Sequence, residues 1–212
     1  MMGFIRARTE EQIFSRQEEI INACDVLYSQ YGYEGVNFKA ISEMTSFKRP
    51  TIYIYYKTKD EVLLDLLKKE MLDWDVSMQR VIQTTEIMTK EQYGAFLTES
   101  AASRKKMLRL LTILCTTIEN QCRLEKLIGF KKEADGAFVT IRESLDKYFP
   151  QGDISKKNFF MTSFLSYIHG LYPLAYPSKK QSDAMVLAGR TYIAPDFNDT
   201  LYHGILLLLA DL

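Results

Sequence analysis

Apolar residues return every three or four positions through almost the whole chain, and that period leaves one economical solution, helices packed on helices. Ile13, Ile20, Cys24, Leu27 and Tyr31 fall on one stripe, the spacing of an amphipathic helix. A longer stripe runs through Val62, Leu63, Leu66, Leu67, Met71, Trp74, Met78 and Val81. Further helical periods cover roughly 90–102, 104–118, 121–148, 154–175 and 197–211, with a short one near 182–190. Pro150-Gln151-Gly152 and the stretch between Pro177 and Pro195 punctuate them. No segment sustains the two-residue alternation of a strand, and nothing repeats at a period of about 20–50 residues. The expected fold class is all-α. With 212 residues, 47% of them hydrophobic, the chain can bury one core or two small ones.

The stripes are long except between residues 32 and 60, where the chain changes direction repeatedly. Gly32 is placed to end the first helix in the positive-φ region. Asn37 reads as the N-cap of a short helix that buries Phe38 and Ile41. Thr45 and Ser46 interrupt it, and Pro50 suits the first turn of the next helix, where its missing N–H costs nothing. Lys57-Thr58-Lys59-Asp60 ends that one in turn, with Thr58 capping the long helix and Glu61 completing a capping box. A long helix, a short helix, a tight turn and a second short helix over residues 11–57 make a helix-turn-helix, whose last helix reads the major groove. In Phe47–Tyr56, the side chains of Phe47, Ile52 and Tyr56 are expected to anchor one side. Lys48, Arg49, Thr51, Tyr53 and Tyr55 are left for the other. Arg49 can take guanine O6 and N7 with two hydrogen bonds, and hydroxyls can reach bases or phosphates.

Charge supports this only locally. The chain balances 27 bases against 27 acids, and residues 1–65 hold eight bases against ten acids. From Lys39 to Lys59, however, five bases face Glu43 alone. Lys39 belongs to that patch, and the patch is what meets phosphate. One short helix reads too few base pairs for useful specificity, so a homodimer on a roughly palindromic operator follows.

The sequence over about residues 12–70 resembles the TetR family of transcriptional regulators. Arg16, Ile20, Ala23, Leu27, Tyr28, Tyr31-Gly32-Tyr33, Phe38, Ile41, Thr51-Ile52-Tyr53, Tyr55-Tyr56, Lys59, Asp60 and Leu63 carry the likeness. It implies a DNA-binding domain over 1–58 and a helical ligand-binding and dimerising domain over 59–212. It further implies that the Tyr53 and Tyr55 hydroxyls and the Lys59 ammonium contact phosphates, and that the regulator is a repressor released by a small molecule. Two positions depart from the family: Ser46 stands where a turn glycine is usual, and Lys48 stands where a serine caps the reading helix. Lysine has no acceptor to offer free N–H groups.

The second half is rich in aromatics, which fits a mostly apolar ligand site. Trp74, Met78, Phe96, Cys115, Glu119, Phe130, Phe164 and Tyr167 are the candidate lining, core packing being the alternative for each. Phe160 and Leu171 on one late helix, with Leu201, Ile205, Leu208 and Leu209 on another, are the candidate dimer face, burial within one chain being its alternative. Cys115, Glu119 and Cys122 share a helical face, but no further soft ligand completes a metal site. Glycines in His169-Gly170 and His203-Gly204 are expected to let two helices cross closely. No catalytic constellation and no cofactor motif occurs. Arg6 and Arg8 precede the first helix, either as an arm reaching a groove or as part of a disordered terminus without a role. MMGFIRARTE lacks the apolar stretch of a secretory signal, and the longest apolar run, Ile205–Ala210, is far short of the ~18 residues of a membrane span. Three cysteines without a disulfide pattern suit a reducing cytoplasm. The partners expected are double-stranded DNA, a second copy and a small apolar ligand, with no membrane. The rival is a helical small-molecule-binding protein that does not bind DNA.

Overall fold

A computed structural model describes residues 9–212, so Arg6 and Arg8 lie outside the described residues. Every regular element among the described residues is a helix: α1 (Glu10–Gly35), α2 (Phe38–Glu43), α3 (Arg49–Tyr55), α4 (Lys59–Thr84), α5 (Lys90–Ala102), α6 (Lys105–Ile113), α7 (Glu119–Gln121), α8 (Leu124–Glu133), α9 (Gly136–Tyr148), α10 (Ile154–Ala175), α11 (Lys179–Leu187) and α12 (Phe197–Leu209). A wider π-helical turn over Leu114–Ile118 joins α6 to α7. The period expected over 121–148 is cut twice, at Cys122 and again at Ala134–Asp135. No described helix is long and apolar enough to cross a membrane.

Packing divides the chain into two compact units, neither continuous in sequence. The first joins residues up to Lys68 with Leu114–Phe130, and the second joins Lys69–Ile113 with Lys131–Leu212. In the first unit Ile20, Cys24, Leu27 and Tyr28 of α1 meet Val36, Phe38, Ile41, Ile52 and Tyr56 in a core closed by Val62, Leu63, Leu66 and Leu67. Ile13 and Tyr31, at the ends of the α1 stripe, remain exposed. Gly32 takes φ 69° and ψ −163°, a conformation essentially confined to glycine. Asn37 caps α2 as expected, its Oδ1 accepting the Ala40 N–H at 3.0 Å.

In the second unit α5 packs on α12, and α10 packs on α6, α9 and α12. Tyr93 sits at the centre, fully buried. Its hydroxyl shares a 2.6 Å hydrogen bond with Ser144, and its ring meets Phe149 edge-on at 5.3 Å. Glycine lets the late helices approach at one of the two expected places. A Cβ on Gly204 would fall 2.1 Å from Cε1 of Tyr167, whereas one on Gly170 would meet nothing within 4 Å.

Candidate nucleic-acid interface

The turn between α2 and α3 is held from α1. Glu19 accepts both the backbone N–H of Ser46 and its hydroxyl, the latter at 2.9 Å. A serine at this point therefore costs no mobility; it supplies an extra tie. Lys48 occupies the N-cap of α3 without a side-chain bond to the free N–H groups, and Pro50 fills the first turn. Ile52 and Tyr56 are fully buried and Phe47 half-buried, which fixes the inner side of α3. Lys48, Arg49, Tyr53 and Ile54 are exposed on the outer side, with Tyr55 half-buried. Arg49 donates from Nη2 to the Tyr53 hydroxyl at 2.8 Å and lies over its ring. That ring rests edge-on against Phe38 at 4.8 Å, so the pair is braced by α2. Lys39 projects from α2, exposed and 4.0 Å from Glu43.

Two expected contacts turn inward. Thr51 is fully buried, its hydroxyl without a hydrogen-bond partner among the described residues. Exposed Tyr53 lies only two residues on, about half a turn round the helix, a distinction periodicity could not draw in a seven-residue helix. Lys59 is half-buried, with Nζ donating to the Tyr33 carbonyl at 2.9 Å and lying 3.7 Å from that ring's centroid. Its ammonium ties the start of α4 to the end of α1.

The end of α3 is closed by carboxylates. The Tyr56 hydroxyl donates to Asp65 Oδ2 at 2.8 Å, and the Lys57 N–H donates to Glu61 Oε2 at 2.7 Å. Thr58 caps α4 by accepting the Glu61 N–H, but the Glu61 side chain reaches Lys57 instead of completing a capping box. Arg123 meets Glu61 with both Nε and Nη2, at 2.6 and 2.9 Å, and adds its own N–H at 3.2 Å. Burial lifts the Glu61 carboxyl, yet the Arg123 fork and the Lys57 and Arg123 amides outweigh it and hold the group below the ordinary range. Lys126 donates to Asp65 Oδ2 at 2.9 Å, over the Tyr56 ring. Sequence reading missed Glu61 as more than a cap, and Asp65, Arg123 and Lys126 altogether.

Within the second unit, a cavity of about 690 Å³ is lined by Ala95, Thr98, Glu99, Ala102, Ser103, Asn198 and Tyr202. A smaller groove of about 230 Å³ runs between α10 and α12 over Ser163, Tyr167, Gly204, Leu207 and Leu208.

Residues 20–66 match the profile described as "Bacterial regulatory proteins, tetR family", and residues 68–210 match "Tetracyclin repressor-like, C-terminal domain". The chain belongs to the TetR family. It is a transcriptional regulator, and the family is one of regulators rather than enzymes. No curated protein matches the sequence. Solved structures share the fold. A TetR/AcrR regulator from Thermobifida fusca is 16% identical with TM-score 0.62, over 92% of this chain and 97% of the other. FadR from Bacillus subtilis, in complex with stearoyl-CoA, is 16% identical with TM-score 0.60, over 92% and 98%. FadR from Thermus thermophilus, in complex with lauroyl-CoA, is 19% identical with TM-score 0.60, over 92% and 93%.

The expected ligand lining of this TetR-family regulator is divided between the units. Cys115, Glu119 and Phe130 belong to the first, with Cys115 exposed and Phe130 buried. Trp74, Met78, Phe96, Phe164 and Tyr167 belong to the second. Trp74, Met78 and Phe164 are core: the indole N–H donates to Ser100 at 2.6 Å, and Phe164 stacks on Phe160. Tyr167 alone of the eight lines either cavity above. Of the expected dimer face, Phe160, Leu171, Leu201, Ile205 and Leu209 are buried within one chain, the alternative weighed for them; Leu208 stays half-buried. Phe159 and Leu207, on the opposite sides of the same helices, are 65% and 78% exposed.

Proposed function

We propose that this TetR-family regulator is a homodimeric repressor that reads a roughly palindromic operator with α3 and leaves it when a small, largely apolar ligand binds the second unit. The observation that carries the reading is the outer side of α2 and α3, where Lys39, Lys48, Arg49 and the braced Tyr53 hydroxyl stand exposed together on a buried base. Arg49 is the base reader; Lys39, Lys48 and Tyr55 serve phosphate. Two such helices fit one duplex face when about 34–36 Å, or a multiple of it, separates them.

The dimer surface is the outward side of α10 and α12, with Phe159 and Leu207 flanking the groove at Tyr167 and Gly204. Exposed apolar side chains of that size beside a groove are what a second copy covers. An acyl-CoA is the first ligand to try, because two proteins of the same fold hold one.

The test is selection of bound fragments from genomic DNA, followed by affinity as a function of salt. An enriched sequence with two-fold symmetry is expected, with log affinity falling by about 0.9 per phosphate contact per log unit of salt. Binding without an enriched sequence would overturn operator reading, and no binding at physiological salt would leave only the ligand-binding alternative. Leu207→Glu should give monomers in sedimentation with helicity retained and operator affinity lost.

A further inference from the structure

The DNA-reading unit contains a segment that no helix-turn-helix needs. Leu114–Phe130 packs with the described residues up to Lys68 rather than with the residues that flank it in sequence. What it brings is a pair of cations, Arg123 and Lys126, spaced i and i+3. They meet a pair of carboxylates, Glu61 and Asp65, spaced i and i+4 on α4. Each carboxylate also holds one of the two residues that end α3: Asp65 takes the Tyr56 hydroxyl, and Glu61 takes the Lys57 N–H. A third tie runs from the Thr58 hydroxyl to the Gln121 carbonyl at 3.1 Å.

We propose that Arg123 and Lys126 are positioning residues for operator binding, which lock the C-terminal end of the recognition helix by neutralising the two carboxylates that hold it. Neither touches DNA in this role. The inference rests on the reading that α3 meets the operator.

Burial explains why the cations matter. Glu61 is fully buried and Asp65 is 8% exposed. A buried carboxylate deprived of its cation seeks water or a proton, and breaking one side of such a pair is far more damaging than replacing both. Arg123 is itself 44% exposed, so without its fork the Glu61 carboxylate is open to water, which competes with the Lys57 N–H and loosens the turn between α3 and α4. Asp65 has a weaker second cation in Lys68 at 3.9 Å, so its loss of Lys126 is partly covered. Arg123 is therefore the stronger member. Its fork binds both oxygens at once, a geometry that lysine cannot reproduce.

The experiment uses the full chain with Arg123→Met, Lys126→Met, Arg123→Lys and the double substitution Arg123→Met with Glu61→Gln. Operator affinity, its salt dependence, helicity and N–H exchange are read on each. Arg123→Met should weaken operator binding on the order of tenfold, an ordinary coupling between two sites. The salt slope should stay that of the parent, because a positioning residue releases no counterion, whereas removing a phosphate contact lowers it by about one. The Lys57 N–H should exchange faster than it does in the parent, while the N–H groups of α1 keep their parent rates. Adding Glu61→Gln should restore most of the affinity, since a neutral amide can still accept the Lys57 N–H. Arg123→Lys should fall between, and Lys126→Met should show a smaller version of the same pattern.

A double variant no better than Arg123→Met, a reduced salt slope, or unchanged Lys57 exchange would each overturn the proposal. Should Arg123→Met fail to fold, Arg123→Lys and Lys126→Met carry the same comparison. If the parent chain binds no operator, the DNA reading fails first. The exchange measurement then still decides whether the clamp exists.

Discussion

The Thr51 hydroxyl is buried without a partner among the described residues, and burial of that kind costs roughly 1–3 kcal/mol. Thr51→Val keeps the branched shape and removes the orphan. It should raise the unfolding free energy by about 1 kcal/mol and leave operator affinity unchanged; a loss of affinity would return Thr51 to the DNA face. Arg49→Ala is the contrasting substitution. It should cost roughly 1–3 kcal/mol of binding and relax specificity at one operator position, while equal weakening on all sequences would move Arg49 to the phosphates. Acid should act on neighbouring carboxylates in opposite senses. Glu61 titrates below its unfolded value, so its stabilisation is present above about pH 4.5 and disappears as the pH falls through the folded pKa. Burial lifts Asp60 against the Tyr33 hydroxyl and Lys59 that favour its charge, so its ionisation costs stability as the pH rises past 3.8. Unfolding curves of Glu61→Gln and the parent should therefore stand furthest apart above about pH 4.5 and draw together as the pH falls below it.

At the scale of single helices, α10 and α12 test how close packing limits sequence. Gly204 lies beneath the Tyr167 ring, whose hydroxyl is fixed to the Thr200 carbonyl at 3.1 Å. Gly204→Ala should destabilise by about 1–3 kcal/mol, the usual cost of overpacking. Gly170→Ala adds a methyl to open space in a helix and should stabilise by up to about 1 kcal/mol. Thermal unfolding of the two single variants separates them, and equal effects would mean that Tyr167 moves aside freely. The sequence made both glycines look alike, since each follows a histidine in an apolar helix. What was legible was local chemistry: the Asn37 cap, the Gly32 break, Pro50 in a first turn and the length of α4. Run Ile205–Leu209 has apolar side chains on every side, so its pattern could not say which side meets the core and which a partner. The break at Asp135 carried only Gly136 as a signal, where a Cβ would fall 2.6 Å from Asp75 Oδ2 and displace that carboxylate. The Arg123–Glu61 pair spans 62 residues and leaves no local pattern at all.

On the scale of the molecule, α4 was the evident connection between reading DNA and binding ligand, but the chain passes between the units at three places: Lys68–Lys69, Ile113–Leu114 and Phe130–Lys131. The second and third bracket the segment that bears Arg123 and Lys126. A ligand held by the second unit can therefore act on the α3 turn along α4 and along the path through the π-helical turn. Whichever path dominates, linkage fixes the magnitude at both ends. If stearoyl-CoA lowers operator affinity by some factor, operator must lower stearoyl-CoA affinity by the same factor, ordinarily about 5–150-fold. Calorimetric titration of stearoyl-CoA into the free protein and into the protein–operator complex measures that factor, and DNA release measures it independently. The two should agree. With Arg123→Met the clamp is already open, so the factor should shrink toward one while intrinsic ligand affinity holds. Tight stearoyl-CoA binding with no change in operator affinity would remove control by that ligand and leave DNA reading by α3 standing. A full-sized factor in Arg123→Met would instead place the whole coupling on α4.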